Sequence, residues 1–299
     1  MSTFETVALL GKGLLGSATL PALVDAGFTV TVLSRSEKNK EGLPAGVKYT
    51  VVDYSSIDSL EAAFRGQDVV VSTIGGFEGL AGQKLMIDAA IKAGVKRFIP
   101  SDFSSMSTDP AVAHLIHYVG MVDIQNYIKA KAEAGLIEYS IFTIGVFTEY
   151  LVKFGFAVDW ANKSAEVWNG GITPMSTTSL AGTGKAIAGA LKNPDATKNR
   201  IVYVHEFVVT QKHLLDLTRK YAPSEDWKLT TIDDPEAEFQ KREKLANEKP
   251  GMDTIISLLR AQMLSGKFQG QFPRVDNDIV GLKLLSEVDF DAAIARDCK

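Results

Sequence analysis

Three glycines near the start of the chain are spaced to handle a phosphate. They lie in Gly11-Lys12-Gly13-Leu14-Leu15-Gly16, directly after the apolar run Val7–Leu10. Glycines at 11 and 13 let a strand turn sharply and let a pyrophosphate approach the backbone. Gly16 lets the helix that follows lie close to the sheet. The first amides of that helix, near Leu14 and Leu15, have no internal partners and can face phosphate oxygens. Lys12 either adds charge there or covers the opening. This spacing alone is a weak signal. Here a second apolar run follows, Phe28–Leu33, ending in Ser34-Arg35-Ser36 with Lys38 just beyond. An acid at that place would accept hydrogen bonds from both hydroxyls of an unphosphorylated ribose. Arg35 instead can grip a 2'-phosphate with its planar fork and stack beside adenine. The residues therefore point to NADP(H) rather than NAD(H). The plainer readings are a structural glycine turn and a solvated basic loop.

Two later segments can line the same cleft. Ser72-Thr73-Ile74-Gly75-Gly76 and Pro100-Ser101-Asp102-Phe103 each follow an apolar run. Thr73, Ile74, Gly75, Ser101 and Phe103 are the cofactor candidates among them. Phe103 either covers the nicotinamide or anchors the core. Asp53-Tyr54 can flank adenine, or Asp53 can cap the next helix.

Groups able to move a proton are few. His117 and Tyr118 lie on the segment entering a helix predicted at Gly120–Ala134. An imidazole can pass a proton to a reduced carbonyl or quinone methide, and a phenol can hydrogen-bond the same oxygen. His114 is a further candidate. The plain reading is a polar loop whose histidines solvate the helix. Tyr127 and Lys131 stand four apart, one helical turn, so that the ammonium can lower the phenol pKa. They lie well inside the helix, which favours a packed tyrosine beside a solvated lysine. Val146, Phe147, Tyr150 and Phe154 follow the sixth strand and can clamp a planar aromatic substrate, although helical spacing alone gives the same pattern. His205 and His213 stand apart, and no set of His, Cys and acidic spacings argues for a metal.

These groups need a scaffold that brings strand ends together. Strands are expected at Val7–Leu10, Phe28–Leu33, Val47–Val51, Asp68–Thr73, Val95–Ile99 and Tyr139–Thr143. Helices are expected at Leu14–Ala26, from about Ser56 to Phe64, at Leu80–Ala93 and at Gly120–Ala134. Strands that are apolar throughout fit a parallel sheet with helices on both faces, whose strand-end loops share one edge. Residues 1–150 read as a Rossmann-like NADP(H)-binding domain. Residues 151–299 read mainly as a smaller substrate-binding lobe, with the chain free to return to the first domain. The 299 residues are 45% apolar and carry a net charge of -4. That balance gives no attraction to nucleic acid or anionic lipid. The one cysteine, Cys298, excludes an internal disulfide. The stretch Met1 to Thr6 has neither a basic segment nor a cleavable apolar one, and no apolar run approaches the roughly 20 residues that span a bilayer. A cytoplasmic protein is expected.

The chain resembles the isoflavone reductase-like, or NmrA-like, branch of atypical short-chain dehydrogenases. The resemblance rests on the glycine turn, on Ser34-Arg35, and above all on Ala89-Ala90-Ile91-Lys92-Ala93-Gly94-Val95-Lys96-Arg97-Phe98-Ile99-Pro100-Ser101-Asp102-Phe103. Trp168-Asn169-Gly170-Gly171 and Asp276-Asn277-Asp278-Ile279-Val280-Gly281-Leu282 extend it over nearly the whole chain. It implies an NADPH-binding Rossmann-like lobe and a smaller C-terminal lobe that forms much of the pocket. Plant enzymes of this type reduce isoflavonoids, lignans or related phenylpropanoids, while other relatives sense cofactor or regulate transcription factors.

Three positions depart from the family pattern. One residue rather than two separates Gly11 from Gly13. Met121 takes the place of a lysine expected to be catalytic, and a thioether neither donates a proton nor carries charge. The expected Asp-Ile-Gly is replaced by Ala181-Gly182-Thr183-Gly184. The leading expectation is an NADPH-dependent reductase of a small aromatic or phenylpropanoid-like substrate. In it His117 and Tyr118 assist proton transfer, while Met121, Val146, Phe147, Tyr150 and Phe154 shape the pocket. The alternative is a catalytically weak NADP(H)-binding regulatory or sensor protein. A homodimer and a regulatory protein partner both stay open.

Overall fold

The computed structural model describes residues 3–221 and 226–298; Met1 and Ser2, part of the opening segment read above, lie outside the described residues. Six strands come from residues 1–145: β1 (Thr6–Leu10), β2 (Thr29–Ser34), β3 (Lys48–Val51), β4 (Val69–Ser72), β5 (Arg97–Ile99) and β6 (Glu138–Thr143). The rest of the chain adds β7 (Val146–Phe147), β8 (Ser164–Val167), β9 (Pro174–Thr178), β10 (Arg200–Tyr203), β11 (Phe207–Thr210) and β12 (Lys228–Thr231). Seven of these form one sheet in the order β10-β6-β5-β4-β1-β2-β3, and every neighbouring pair is parallel. The winding runs outward from β1 to β3, then restarts at β4 on the other side of β1. Such a reversal opens a crevice beyond the carboxyl ends of the strands.

The apolar runs have a direct cause. In a strand, neighbouring side chains point to opposite faces. Val7 and Leu9 enter one core with Leu20, Leu23 and Ile187. Ala8 and Leu10 enter the other with Leu60, Phe64 and Ile87. Both faces of β1 are covered, so neither face can be polar. The helix Leu14–Asp25 follows β1, and the helix Ile57–Phe64 begins where the Ser56 hydroxyl accepts the Ser59 amide at 3.2 Å.

One helix begins earlier than its sequence suggests. The segment predicted to start at Gly120 is helical over Ile116–Glu133, which puts His117 and Tyr118 in its first turn. Leu115 and Tyr118 are buried, and their packing overrides the weak helix preference of Gly120.

The second half of the chain divides its loyalties. β10 extends the main sheet beside β6, and Ala186, Ile187, Val202 and Val204 join the core that holds Leu20 and Val30. The remainder collects around Trp168, Leu214, Leu258 and Phe290 in a separate core, beside the small sheet β11-β9-β7 and the pair β12-β8. Among the described residues, no helix is long and apolar enough to cross a membrane.

Candidate cofactor cleft and substrate pocket

The strand ends converge on one continuous groove. Its first part, about 780 Å³, is lined by Arg35 beyond β2, by Val51 to Ser55 beyond β3 and by Ile74 and Gly75 beyond β4. The middle part, about 350 Å³, is lined by Gly13, Leu14, Leu15, Thr73, Ile74, Gly75, Ser101 and Phe103, among others. Its far part, about 290 Å³, takes in His117, Tyr118, Val146, Phe156 and Ile255. Met121, Phe103, Phe147 and Tyr150 belong to both the middle and the far parts. Ile74 and Gly75 link the first part to the middle.

The glycine turn is built as a cradle. Gly11 has φ +89, and its amide donates to the Leu33 carbonyl at 2.9 Å, which ties the turn to the end of β2. The Thr73 hydroxyl lies 2.9 Å from the Leu10 carbonyl oxygen and 3.1 Å from that of Gly11. Thr73 therefore fastens the turn to β4 as well as lining the cleft. No side chain caps the helix at Gly13, so its leading amides remain available to an anion at the groove. A Cβ built on Gly13 meets nothing within 4 Å. That open space over a helix N-terminus suits a pyrophosphate.

Arg35 lies at the mouth of the first part, its Cζ 6.0 Å from the centre of the Tyr54 ring. Tyr54 donates to the Leu33 carbonyl at 2.9 Å, and burial pushes its phenol up to about 12. It stays a neutral, fixed ring. Asp53 accepts from the Ser55 hydroxyl and amide, which hold its carboxyl below the ordinary value. The guanidinium beside a fixed ring matches a 2'-phosphorylated adenosine.

Not every residue expected at the cofactor lines the groove. Lys12 turns away and donates to the Glu41 carbonyl at 2.6 Å. Lys38 is exposed on a short turn and does not line the groove. Ser34 is buried at the end of β2, and Gly11 and Gly16 shape the turn from beneath. Phe154 also departs from its expected place. It is 55% exposed and packs edge-on against Tyr150 at 4.9 Å, outside the pocket wall. The helix that carries Tyr150 ends at Leu151, so Phe154 lies in the turn beyond it.

The proton-transfer candidates do reach the pocket, in a specific state. His117 Nε2 lies 2.8 Å from Oε1 of Gln262, a residue of the helix Met252–Leu264 that the sequence reading missed. Gln262 Nε2 lies 3.3 Å from both the Tyr118 hydroxyl and the Met106 sulfur. Tyr118 in turn shares a hydrogen bond of 2.8 Å with Ser105. With an amide oxygen as partner, His117 Nε2 carries the proton, and buried Nδ1 has no partner. Burial lowers the imidazole to about 4 against the help of Gln262, and burial raises the Tyr118 phenol to about 12. Both groups are uncharged at neutral pH; the His117 hydrogen goes to Gln262, while the Tyr118 hydroxyl accepts from Gln262 and shares a hydrogen bond with Ser105. Nothing in the sequence near Gln262 marks it; the contact spans 145 positions.

The buried imidazole has a consequence for stability. Its folded pKa lies below the unfolded value, so the unfolded chain takes up a proton that the folded chain refuses. Stability contributed by the neutral state is complete above pH 6.5 and is lost as pH falls towards 4. Between pH 7 and 4 the wild type is expected to lose about 3 kcal/mol more than His117→Gln. Urea unfolding at the two pH values measures it; parallel losses would contradict the buried neutral state.

Other candidates lie elsewhere. Tyr127 donates to Asp88 at 2.7 Å and Lys131 Nζ sits 3.1 Å from the same carboxylate, a tether between two helices away from the groove. His114 is exposed, 3.5 Å from Glu243. His213 meets Glu287 and Asp291, all three ligand atoms within 4.8 Å, with His213 Nε2 at 3.0 Å from Asp291. The sequence spacing gave no sign of this grouping, because its members come from two helices far apart in the chain. Two acids from elsewhere in the chain reach the start of the helix that contains Ala181-Gly182-Thr183-Gly184. Glu206 accepts the Ser179 amide at 2.7 Å, and Glu149 accepts that of Leu180 at 3.0 Å, at the start of the helix Leu180–Lys192.

Comparison with known proteins agrees with this arrangement. The model of the NmrA-like family matches residues 5–225. A relative named oxidoreductase aprR, from Aspergillus flavus, is 32% identical over 262 residues, 86% of each chain. The solved structures of pinoresinol-lariciresinol and phenylcoumaran benzylic ether reductases align with a TM-score of 0.77 at 17% identity, over 99% of each chain. The quinone oxidoreductase QOR2 of Escherichia coli, solved with NADPH, aligns with a TM-score of 0.72 at 16% identity, covering 97% of this chain and 99% of that one. The winding of the sheet, the glycine turn beyond β1 and the match over most of the chain lead to one conclusion: this protein belongs to the NmrA-like family.

Proposed function

We propose that this chain is an NADPH-dependent reductase acting by hydride transfer on a small aromatic or phenylpropanoid-like substrate. The observation that carries the reading is the single groove, which runs from Arg35 through the glycine turn to a pocket walled by aromatic and apolar side chains. Bound NADPH supplies a hydride from its nicotinamide. Arg35 holds the 2'-phosphate, and the amides near Leu14 and Leu15 hold the pyrophosphate. Ile74, Gly75, Ser101 and Phe103 flank the path towards the pocket. Met121, Val146, Phe147 and Tyr150 pack the faces of a planar substrate and exclude water. His117 and Tyr118 stand at the far wall as uncharged polar groups. The relatives named as oxidoreductases and reductases support this reading.

The test follows NADPH absorbance with a panel of phenylpropanoid, quinone and quinone-methide acceptors. Turnover by wild type is expected, with a fall of about tenfold or more in His117→Ala, which removes the ring that Gln262 fixes in the pocket wall, while NADPH affinity is kept. Unchanged turnover would show that His117 does not shape the substrate's place in the pocket. Met121 favours a second reading, an NADP(H)-binding sensor. That reading predicts tight cofactor binding with no NADPH consumption against any acceptor.

A further inference from the structure

Away from the groove, one imidazole meets two carboxylates from another part of the chain. His213 sits in the first turn of the helix Gln211–Tyr221, where the Thr210 hydroxyl accepts the His213 amide at 3.2 Å. Glu287 and Asp291 stand one turn apart on the helix Glu287–Asp297, so both carboxylates share one face of it. The three ligand atoms lie within 4.8 Å of one another, and His213 Nε2 is 3.0 Å from Oδ1 of Asp291. Among the described residues, no lysine or arginine pairs with either carboxylate.

Two of the three groups are held in place by the core. The His213 ring lies 6.0 Å from that of Phe207 and 5.9 Å from that of Phe290, and those two rings stack on each other at 4.2 Å. Phe290 is buried and lies on the same helix as the two acids. His213 and Asp291 are partly buried, while Glu287 is exposed and free to swing. Ligand atoms about 2.0–2.2 Å from a zinc ion, at roughly 95–110° to each other, stand about 3.0–3.4 Å apart. The contact between His213 and Asp291 already has that length. A His–Asp pair accounts for it without Glu287, whose carboxylate one turn away repels that of Asp291. A divalent cation between the two removes the repulsion. One imidazole nitrogen with two carboxylate oxygens suits zinc better than magnesium or calcium, which take oxygen ligands.

We propose that His213, Glu287 and Asp291 bind one zinc ion, with water completing a four-coordinate site. Zinc takes the place of the proton on Nε2, which passes to solvent, and the two carboxylates close on the ion from the neighbouring helix. The ion staples the helix Glu287–Asp297 to the helix Gln211–Tyr221. The first of these also packs against the short helix Thr148–Leu151, which carries Tyr150 of the pocket wall. The site does not depend on the reductase reading, because none of its three ligands lines the groove.

The test titrates the full chain, stripped with EDTA, with zinc chloride in a calorimeter at neutral pH. One zinc per chain is expected, with a Kd of about 10 μM or tighter. Magnesium chloride at the same concentration is expected not to bind. His213→Gln is expected to weaken zinc binding by about 30-fold or more and Glu287→Gln by about tenfold or more. His114→Ala, which alters the exposed histidine near Glu243, is expected to keep wild-type affinity. Glu287 is exposed, so Glu287→Gln should leave the metal-free melting temperature unchanged. It should also lose the rise of about 3 °C or more that zinc at a hundredfold excess over Kd gives the wild type. Zinc binding weaker than this range, equal binding of magnesium, or a loss of affinity in His114→Ala overturns the proposal. So does zinc binding undiminished by His213→Gln or by Glu287→Gln, which would mark an adventitious ion only.

Discussion

Gly16→Ala is expected to abolish measurable NADPH binding, and Gly13→Ala to weaken it without touching the fold. The two substitutions add the same methyl group within one turn but meet different surroundings. A Cβ on Gly16 would lie 2.2 Å from the Gly11 carbonyl oxygen and 2.7 Å from the Thr73 hydroxyl. The first is main chain and cannot swing aside, and the second is held by Leu10. The helix Leu14–Asp25 must therefore move off the turn. Overpacking of this kind costs about 1–3 kcal/mol of stability. It also moves the amides that face the phosphate site, and a shift of that size is expected to cost at least about 100-fold in affinity. On Gly13 the new methyl meets nothing in the protein, and the backbone there has φ -79, which alanine accepts. It fills only the space offered to pyrophosphate. The expected result is unchanged urea unfolding with an NADPH affinity lower by about tenfold or more. Fluorescence titration and denaturant curves on the two variants separate packing from binding. Full NADPH affinity in Gly13→Ala would show that phosphate does not sit on this turn.

Arg35→Ala is expected to erase the preference for the phosphorylated cofactor. Arg35 is the cation lining the first part of the groove, and it stands beside the fixed Tyr54 ring. A charge-assisted contact to phosphate is worth about 1.5–3 kcal/mol, or roughly 10- to 100-fold in NADPH affinity. NADH lacks the 2'-phosphate, so its affinity is expected to stay within about threefold. Because Arg35 is exposed, the wild-type preference should shrink as salt rises, and the variant should show little salt dependence. Calorimetry with both cofactors at two salt concentrations tests this. An equal loss for NADH would place the role of Arg35 elsewhere, in stacking or in the shape of the loop.

The pocket explains how a family member without the expected lysine can keep an ordered site. Gln262 reaches from the helix Met252–Leu264 to hold His117 and Tyr118 together, and both helices bury apolar faces in the same core. The arrangement is uncharged and buried. It suits packing against a planar molecule better than delivering protons to it.

The first half of the fold was legible in the sequence because a parallel sheet covered on both faces demands apolar runs, and each run here is bounded by a glycine turn or a helix cap. The lining of the cleft was legible for the same reason, since Gly13, Leu14, Leu15 and Arg35 each directly follow a single strand. The sequence by itself determined the α/β winding, the glycine turn beyond β1 and the place of Arg35 at the groove, all of which follow from local spacing. Only the tertiary structure decided that Lys12 turns to Glu41, that Phe154 faces solvent, that Glu206 accepts the Ser179 amide and that Gln262 engages His117. Those outcomes depend on which side chains meet across long stretches of chain and on how much water their meeting excludes, and neither quantity is written in the spacing of neighbours.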